Sequence, residues 1–438
     1  MLATLENKKK IPAQLQGEFN SLLENTFASE PAWLKEKRKE AFEVFSTEGV
    51  PTRKDENYKY TDVKKIFDSK YTATHNKLHK GIAIPPPIAE GNIQLVFING
   101  WLYKDSTLSA KLPKEVVVGN MATDGLGKYS EVLKKHLSSS GDALSQLNAA
   151  LWTDGAFIYV PAKIILENPI EIIHIATGNN ELLASPKHLF VIENNAEAQI
   201  IERSISVEAE KYIIVNSFAE VVVGENGKLQ YYRIQNDCKN VSQISNIYTT
   251  LDKNSHFDTN TISLGNDFVR NNLNIAFEGE NSEIHLNGLF VVSGNEFVDN
   301  HTAVQHNKPH CQSNQLYKGV LDEKATGIFN GKIFVARDAQ KTNAYQSSKN
   351  ILLSDDATIN TKPELEIYAD DVKCSHGTTT GQINEDSLFY LRARGLSEES
   401  ARRLLLVAFA NDVLETIKID ALRAYLEELI NKKISHNR

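Results

Sequence analysis

The chain has 438 residues, of which 41% are hydrophobic, 24% charged and 8% aromatic, enough apolar material for a substantial core and too much for intrinsic disorder. Its 48 basic and 56 acidic residues leave a net charge of −8, so no global positive field draws nucleic acid or an anionic membrane. The length suggests two or three domains, or one elongated repeat body with appendages.

Cys238, Cys311 and Cys374 are well separated and form no CxxC, which excludes a disulfide framework and a zinc knuckle. A reducing compartment fits. The N-terminus lacks the uninterrupted apolar core of a signal peptide, and no stretch approaches the ~20 apolar residues of a spanning helix. These features predict a soluble, cytoplasmic protein.

Leu15, Phe19, Leu22 and Leu23 recur at helical spacing, and a second helix is predicted from about Pro31 to Phe45, ended by Gly49 and Pro51. The charged run from Thr52 to Tyr60 reads as a solvated loop laid against the next domain. Residues 70–90, ending in Pro85, Pro86 and Pro87, read as an extended linker. The N-terminal helical domain and linker are therefore placed at 1–90.

From Ile93 the texture changes to short runs rich in Ile, Val, Phe and Tyr, such as IQLVFING, AFIYVP, HLFVIE and AEVVVG, which are predicted strands. A helical excursion near 128–150 interrupts them. The strand region also repeats. A polar turn ending in a small residue recurs at Ala196, Gly227, Ser255, Ser282, Ala325 and Ala357, with steps of 31, 28, 27, 43 and 32 residues. A second echo, Gly265 to Asn271 against Gly294 to Asn300, has an offset of 29. A period near 30 built from strands and turns predicts one coil of a β-solenoid per repeat, over 91–381. Propeller blades are longer, and leucine-rich repeats carry a fixed leucine code. No coil buries its apolar face alone, so stacking makes the core, and an end left uncovered is a docking site for another chain.

The segment 382–438 is predicted helical again. Asn384 and Ser397 are candidate N-caps and Gly395 a C-terminal stop, and Leu422, Tyr425, Leu426, Leu429 and Ile430 share one helical face.

Two clusters could hold a metal. His301, His306, His310 and Cys311 fall within eleven residues, and imidazole and thiolate suit zinc or iron. Their spacing matches no HExxH or finger pattern, and packed or hydrogen-bonded histidines are the competing reading. Cys374 and His376 alternate onto one side of an extended chain, about 7 Å apart along it, where they could share a metal with another chain's ligands. Gly125-Leu126-Gly127-Lys128 lacks the GxxxxGK[ST] frame, so no ATP site is expected. The paired Asp355 and Asp356 suggest a solenoid polysaccharide lyase or hydrolase as an alternative function, but they coincide with the repeated turn.

The stretch KCSHGTTTGQINEDSLFYLRARGLSEESARRLLLVAFANDVLE, from Lys373 to Glu415, resembles the C-terminal signature of the SufB/SufD family of iron-sulfur cluster assembly proteins. GVPTRKDENYKYT from Gly49, LWTDGAFIYVP from Leu151, HNKPHCQSNQLYKG from His306 and INTKPELEIYADDVKCSHG from Ile359 add to it, and the length and the CSHG tetrapeptide favour the SufD branch.

The resemblance implies a right-handed parallel β-helix between helical terminal domains. It also implies pairing with a SufB-like paralogue at the end of the β-helix and docking of a SufC-like ABC-type ATPase on the C-terminal helices. The role would be that of a non-enzymatic scaffold for a transient iron-sulfur cluster or iron. His376 is then the expected ligand, with Cys374 second, and Leu404, Leu405, Ala408, Phe409 and Val413 the expected ATPase contacts. An isolated chain could form a homodimer, which would be a poor scaffold.

Overall fold

The computed structural model describes residues 13–67, 71–73, 81–103, 112–137, 141–237 and 239–436; Cys238 and part of the 70–90 linker lie outside them. Two N-terminal helices, Ala13–Glu24 and Ala32–Glu48, precede the strands, and Gly49 ends the second with φ 67°, a conformation that glycine adopts without Cβ strain. The helical excursion resolves into Ser130–His136 and Ala143–Leu151.

The body is a mainly β solenoid of about eight turns. From Lys187 to Gly381 successive strands alternate between two sheets, so each coil gives one strand to each. Every coil then pairs parallel with the next at offsets of 26 to 32 residues, the extremes being Ser242 beside Phe268 and Thr326 beside Thr358. The internal echo in the sequence is this register. Phe268 pairs with Phe297, and their rings stack 5.1 Å apart, 3° from parallel.

The 43-residue step has a simple cause. Ala196, Gly227, Ser255 and Ser282 follow one row of corners, each behind an asparagine at positive φ: Asn195, Asn226, Asn254 and Asn281. That row continues through His310 (φ 63°) and Lys341 (φ 63°). Ala325 and Ala357 belong to a different row of corners, leading into the other sheet. Asparagine tolerates the left-handed region better than most residues, which is why these corners are legible.

Between the sheets runs an apolar interior that includes Ile172, Phe190, Ile200, Val221, Phe257, Phe277 and Leu286. Helices cover the outer faces. The N-terminal helices and Ala143–Leu151 pack Phe19, Phe42, Phe45 and Leu147 over Ile214, Ile244 and Phe268 of one sheet. The C-terminal helices Glu398–Leu414 and Asp420–His436 lay Leu406, Val413, Leu422, Leu426 and Ile430 on Ile201, Tyr232, Ile262 and Leu289 of the other. Each such side chain contributes about 1.5–3 kcal/mol by burial, so these stripes are internal packing. Asn384 and Ser397 cap their helices as expected, accepting from the Ser387 and Ser400 amides. Among the described residues no helix is long and apolar enough to cross a membrane.

Polar anchors fix the N-terminal helices to the first coils. Arg38, fully buried, donates to Glu30 at 2.7 and 2.8 Å and to the carbonyls of Ala150 and Trp152 at 3.1 and 2.8 Å, and lies 3.6 Å over the Phe27 ring. The charged run after Gly49 does lie against the solenoid. Its Arg53, Lys54 and Lys59 are exposed, while the Tyr58 phenol donates to Asp142 and the Thr61 hydroxyl to Asp299. Removing one member of a buried pair costs about 3–5 kcal/mol. Arg38→Ala should therefore destabilise the N-terminal helices by about 3–5 kcal/mol in urea unfolding and raise their amide exchange, leaving strands beyond Phe268 protected.

Candidate functional site at the open end of the solenoid

The two ends of the solenoid are finished differently. At the first coils, antiparallel strands Trp101–Leu102 and Val117–Asn120 cover the sheet edges. At the other end Thr358–Ile367 and Lys373–Gly381 each have one neighbour, and the latter is exposed along almost its whole length. Unpaired strand edges are templates for another chain. Exposed Tyr345, Ile367 and Tyr368 lie on or beside the strands of the last two coils, apolar surface that water solvates poorly.

Parallel register places the candidate ligands. Cys374 pairs with Ala344, which is fully buried, and packs against the interior cluster; His376 pairs with Gln346, 3% exposed. Both therefore stand in the inward row, at the mouth of the solenoid, where no further coil covers them. Cys374 is half-buried, and burial pushes its thiol up from the ordinary cysteine value, which disfavours the thiolate. His376 is exposed.

The His301 to Cys311 cluster does not assemble. The His306 ring is enclosed, 4.6 Å from Phe277, with Nε2 2.9 Å from the Ser313 hydroxyl, and burial pushes it down to about 3. His301 sits 2.8 Å from Asp299 on the opposite side of the same strand. His310 fills the corner position that asparagine holds in earlier coils, and Cys311 is the buried small residue after it, its thiol 3.4 Å from the Gly279 carbonyl. Corner geometry spreads them apart, so His306, His310 and Cys311 offer no joint metal site within this chain.

Among the described residues the group that does bring three potential ligands within 4.8 Å of one another is one the sequence did not reveal: His174, His188 and Glu202, inside the solenoid. Hydrogen bonding decides against a metal there. The Ala156 amide donates to His188 Nδ1 at 2.9 Å, so the neutral ring carries its proton on Nε2 and has no lone pair left to ligate. Glu202 accepts from the Tyr231 phenol and lies 3.6 Å from Arg233. Burial alone would raise Glu202, but Arg233 and the two imidazoles hold it at about 2, while burial and the neighbouring imidazole push His188 to about 3. The group is an internally balanced charge cluster. Its members come from three strands of two coils, so no local motif announces it.

The C-terminal helices correct part of the expected ATPase contact. In Glu398–Leu414, Leu404 is 48% exposed and Ala408 is exposed, both free to meet a partner. Val413 is fully buried against the solenoid, and Leu405 and Phe409 lean on the same cluster. Lys318 Nζ sits 4.2 Å over the Phe409 ring and donates to its carbonyl at 2.8 Å. Helical periodicity turns these three inward. Phe389 and Tyr390, 75% and 58% exposed on helix Glu385–Ala393, are the surface aromatics the sequence reading missed. The signal was present: in that nine-residue helix Leu388 is the buried residue.

Comparison with known proteins accounts for this architecture over nearly the whole chain. A family model described as SUF system FeS cluster assembly, SufBD core domain, matches residues 174–409, and the SufBD protein N-terminal region matches 9–172. The chain belongs to the SufBD family. Among its relatives, the SufBD family protein slr0076 of Synechocystis is 31% identical over 98% of both chains. SufD of Escherichia coli is 28% identical over 88% of this chain and 90% of its own, and SufD of Bacillus subtilis 26% over 92% and 95%. The motifs that carry the family resemblance fall on structural joints of this SufBD chain: the docked loop at Tyr58, the corner at His310 and the mouth at Cys374 and His376.

A further buried acid gives a pH test of the interior. Asp237 accepts from Asn266 at 3.0 Å and from Gln243, yet burial pushes it up to about 7. A raised acid contributes stability that is fully present below the unfolded value near 4 and is lost as pH rises through 7. Asp237→Asn keeps an acceptor oxygen for both donors and cannot ionise. Urea unfolding should find the variant gaining on the wild type from pH 4 to 7 and level above 8, by roughly 4 kcal/mol at full ionisation.

Proposed function

We propose that this chain is a scaffold subunit, rather than an enzyme, on which an iron-sulfur cluster is built jointly with a SufB-like paralogue, while a SufC-like ABC-type ATPase docks on its C-terminal helices. The observation that carries this reading is the uncovered last coil, which presents Cys374 and His376 inward at a mouth flanked by two unpaired strand edges. A paralogous solenoid stacked there would continue both sheets and supply the missing ligands. Curated relatives bearing the SufD name are described as iron-sulfur cluster assembly proteins.

The cluster or its iron is cargo here. One exposed imidazole and one half-buried thiol are too few to hold a cluster, which ordinarily takes four ligands. Exposed Leu404 and Ala408, with Phe389 and Tyr390 nearby on the preceding helix, form the surface offered to the ATPase. The polysaccharide-lyase alternative loses ground: Asp355 and Asp356 occupy an exposed corner of the coil.

Co-expression with the two partner subunits tests the reading, with complex mass, iron and acid-labile sulfide measured. His376→Ala should assemble normally and lower cluster content by roughly tenfold; unchanged iron and sulfide would remove His376 from the site. Leu404→Asp should weaken ATPase co-purification more than about tenfold, since it forces a charge into an apolar contact, while pairing with the paralogue persists.

A further inference from the structure

Behind His376 runs a row of inward side chains with a fixed order of hydrogen bonds. Gln315 reaches across the coil and donates to the Thr302 hydroxyl. In the next coil Gln346 donates through Nε2 to Gln315 Oε1 at 2.6 Å. Opposite Gln346, in register with Thr302, stands Gly331, where a Cβ would lie 1.6 Å from Gln346 Nε2. The missing side chain makes room for the amide and denies it a partner across the coil.

Gln346 Oε1 is therefore a buried acceptor with no hydrogen bond, on a residue 3% exposed. The residue in register with Gln346 on the last coil is His376, on the same face at the roughly 4.8 Å spacing of paired strands. Opposite His376 on its own coil stands Pro363, in register with Gly331, which offers no polar side chain. The Gln346 amide nitrogen is thus committed to the earlier coil, and the row ends in an oxygen without a donor.

We infer that Gln346 is the positioning residue of His376, its side-chain carbonyl accepting the proton of one imidazole nitrogen and leaving the other nitrogen's lone pair directed to the incoming iron. The inference rests on the reading of His376 as a ligand. A carbonyl on one ring nitrogen fixes the tautomer and the ring orientation and raises the ligand's basicity. Gln346 is suited to this because Gly331 and Gln315 hold its amide in place before any partner arrives. Cys374, in register with Ala344, receives no such support.

The full chain, labelled in its histidines with ¹³C and ¹⁵N, gives a direct test, the His376 signal being the one lost in His376→Ala. The wild type should show a single tautomer; a mixture would overturn the inference without any variant. Gln346→Leu should convert the signal to a mixture and, in the co-expressed complex, weaken iron retention by about 10–100-fold. Gln346→Glu keeps an acceptor oxygen, and Gln315 can turn its amide to donate to it, so it should restore the single tautomer and most of the iron. An unaltered tautomer in Gln346→Leu would refute the positioning role. If His376→Ala leaves iron and sulfide unchanged while Gln346→Leu still alters the tautomer, the ligand assignment has failed and the hydrogen bond stands.

Discussion

Everything in this molecule follows from parallel stacking of coils in register. A single coil has two short strands and cannot bury their inward side chains, so its stability comes from the coil on either side. Register also dictates chemistry, because a residue's nearest neighbours lie about 30 positions away along the chain. Phe268 stacks on Phe297 this way, and Gln346 meets Gln315. The arrangement has one unavoidable consequence: the last coil has a neighbour on one side only. Antiparallel strands cover the first coils, whereas the final strands are left open. The site is where the stacking rule runs out.

The interior is less oily than a stacked core requires. Alongside the apolar cluster, Glu202, Arg233, Gln235, Asn271, Asn300, Gln315 and Gln346 are all buried, and most are tied to one another across coils. Asn271, for example, donates to Gln235 and Asn300 at 3.0 Å each. Amide networks of this kind hold their side chains in single orientations, because a rotated amide leaves a buried group unsatisfied. Charges are handled in the same manner: Glu202 stays ionised among Arg233, two neutral imidazoles and a phenol, and Asp299 among Arg270, His301 and Thr61. A rigid polar interior explains how a mouth residue can be oriented in advance by the coil beneath it.

The fold was largely legible in the sequence because corners have strict requirements. Asparagine at positive φ followed by a small buried residue marks four successive coils, and the period could be read from those pairs alone. The count slipped at 43 residues because two rows of corners share one texture, and because His310 and Lys341 fill the left-handed position where asparagine was expected. The same substitution made His310 resemble a ligand. Helical faces were legible in direction but not in ownership: Val413 shares a helix with Leu404, yet one faces the solenoid and the other the solvent. The charge cluster of His174, His188 and Glu202 was illegible, since the residues sit on three different strands that only the stacking of two coils brings together.

Scarcity of thiols then acquires a structural meaning. Of the cysteines in the described residues, Cys311 is sealed inside a corner and Cys374 is half-buried with its thiol shifted toward the protonated form, so neither is an exposed, ready thiolate. His376 is the more exposed of the two candidate donors at the mouth, and imidazole is a borderline-soft donor that suits iron. A surface with that donor set is suited to receiving metal and poorly suited to accumulating sulfur. On the proposed reading, the soft ligands of a mixed cluster would reach the mouth with the solenoid that pairs with the open edges. On the proposed scaffold reading, stacking and ligation are one event: covering the last coil would complete the sheets and bring the missing thiolates to the imidazole at the mouth.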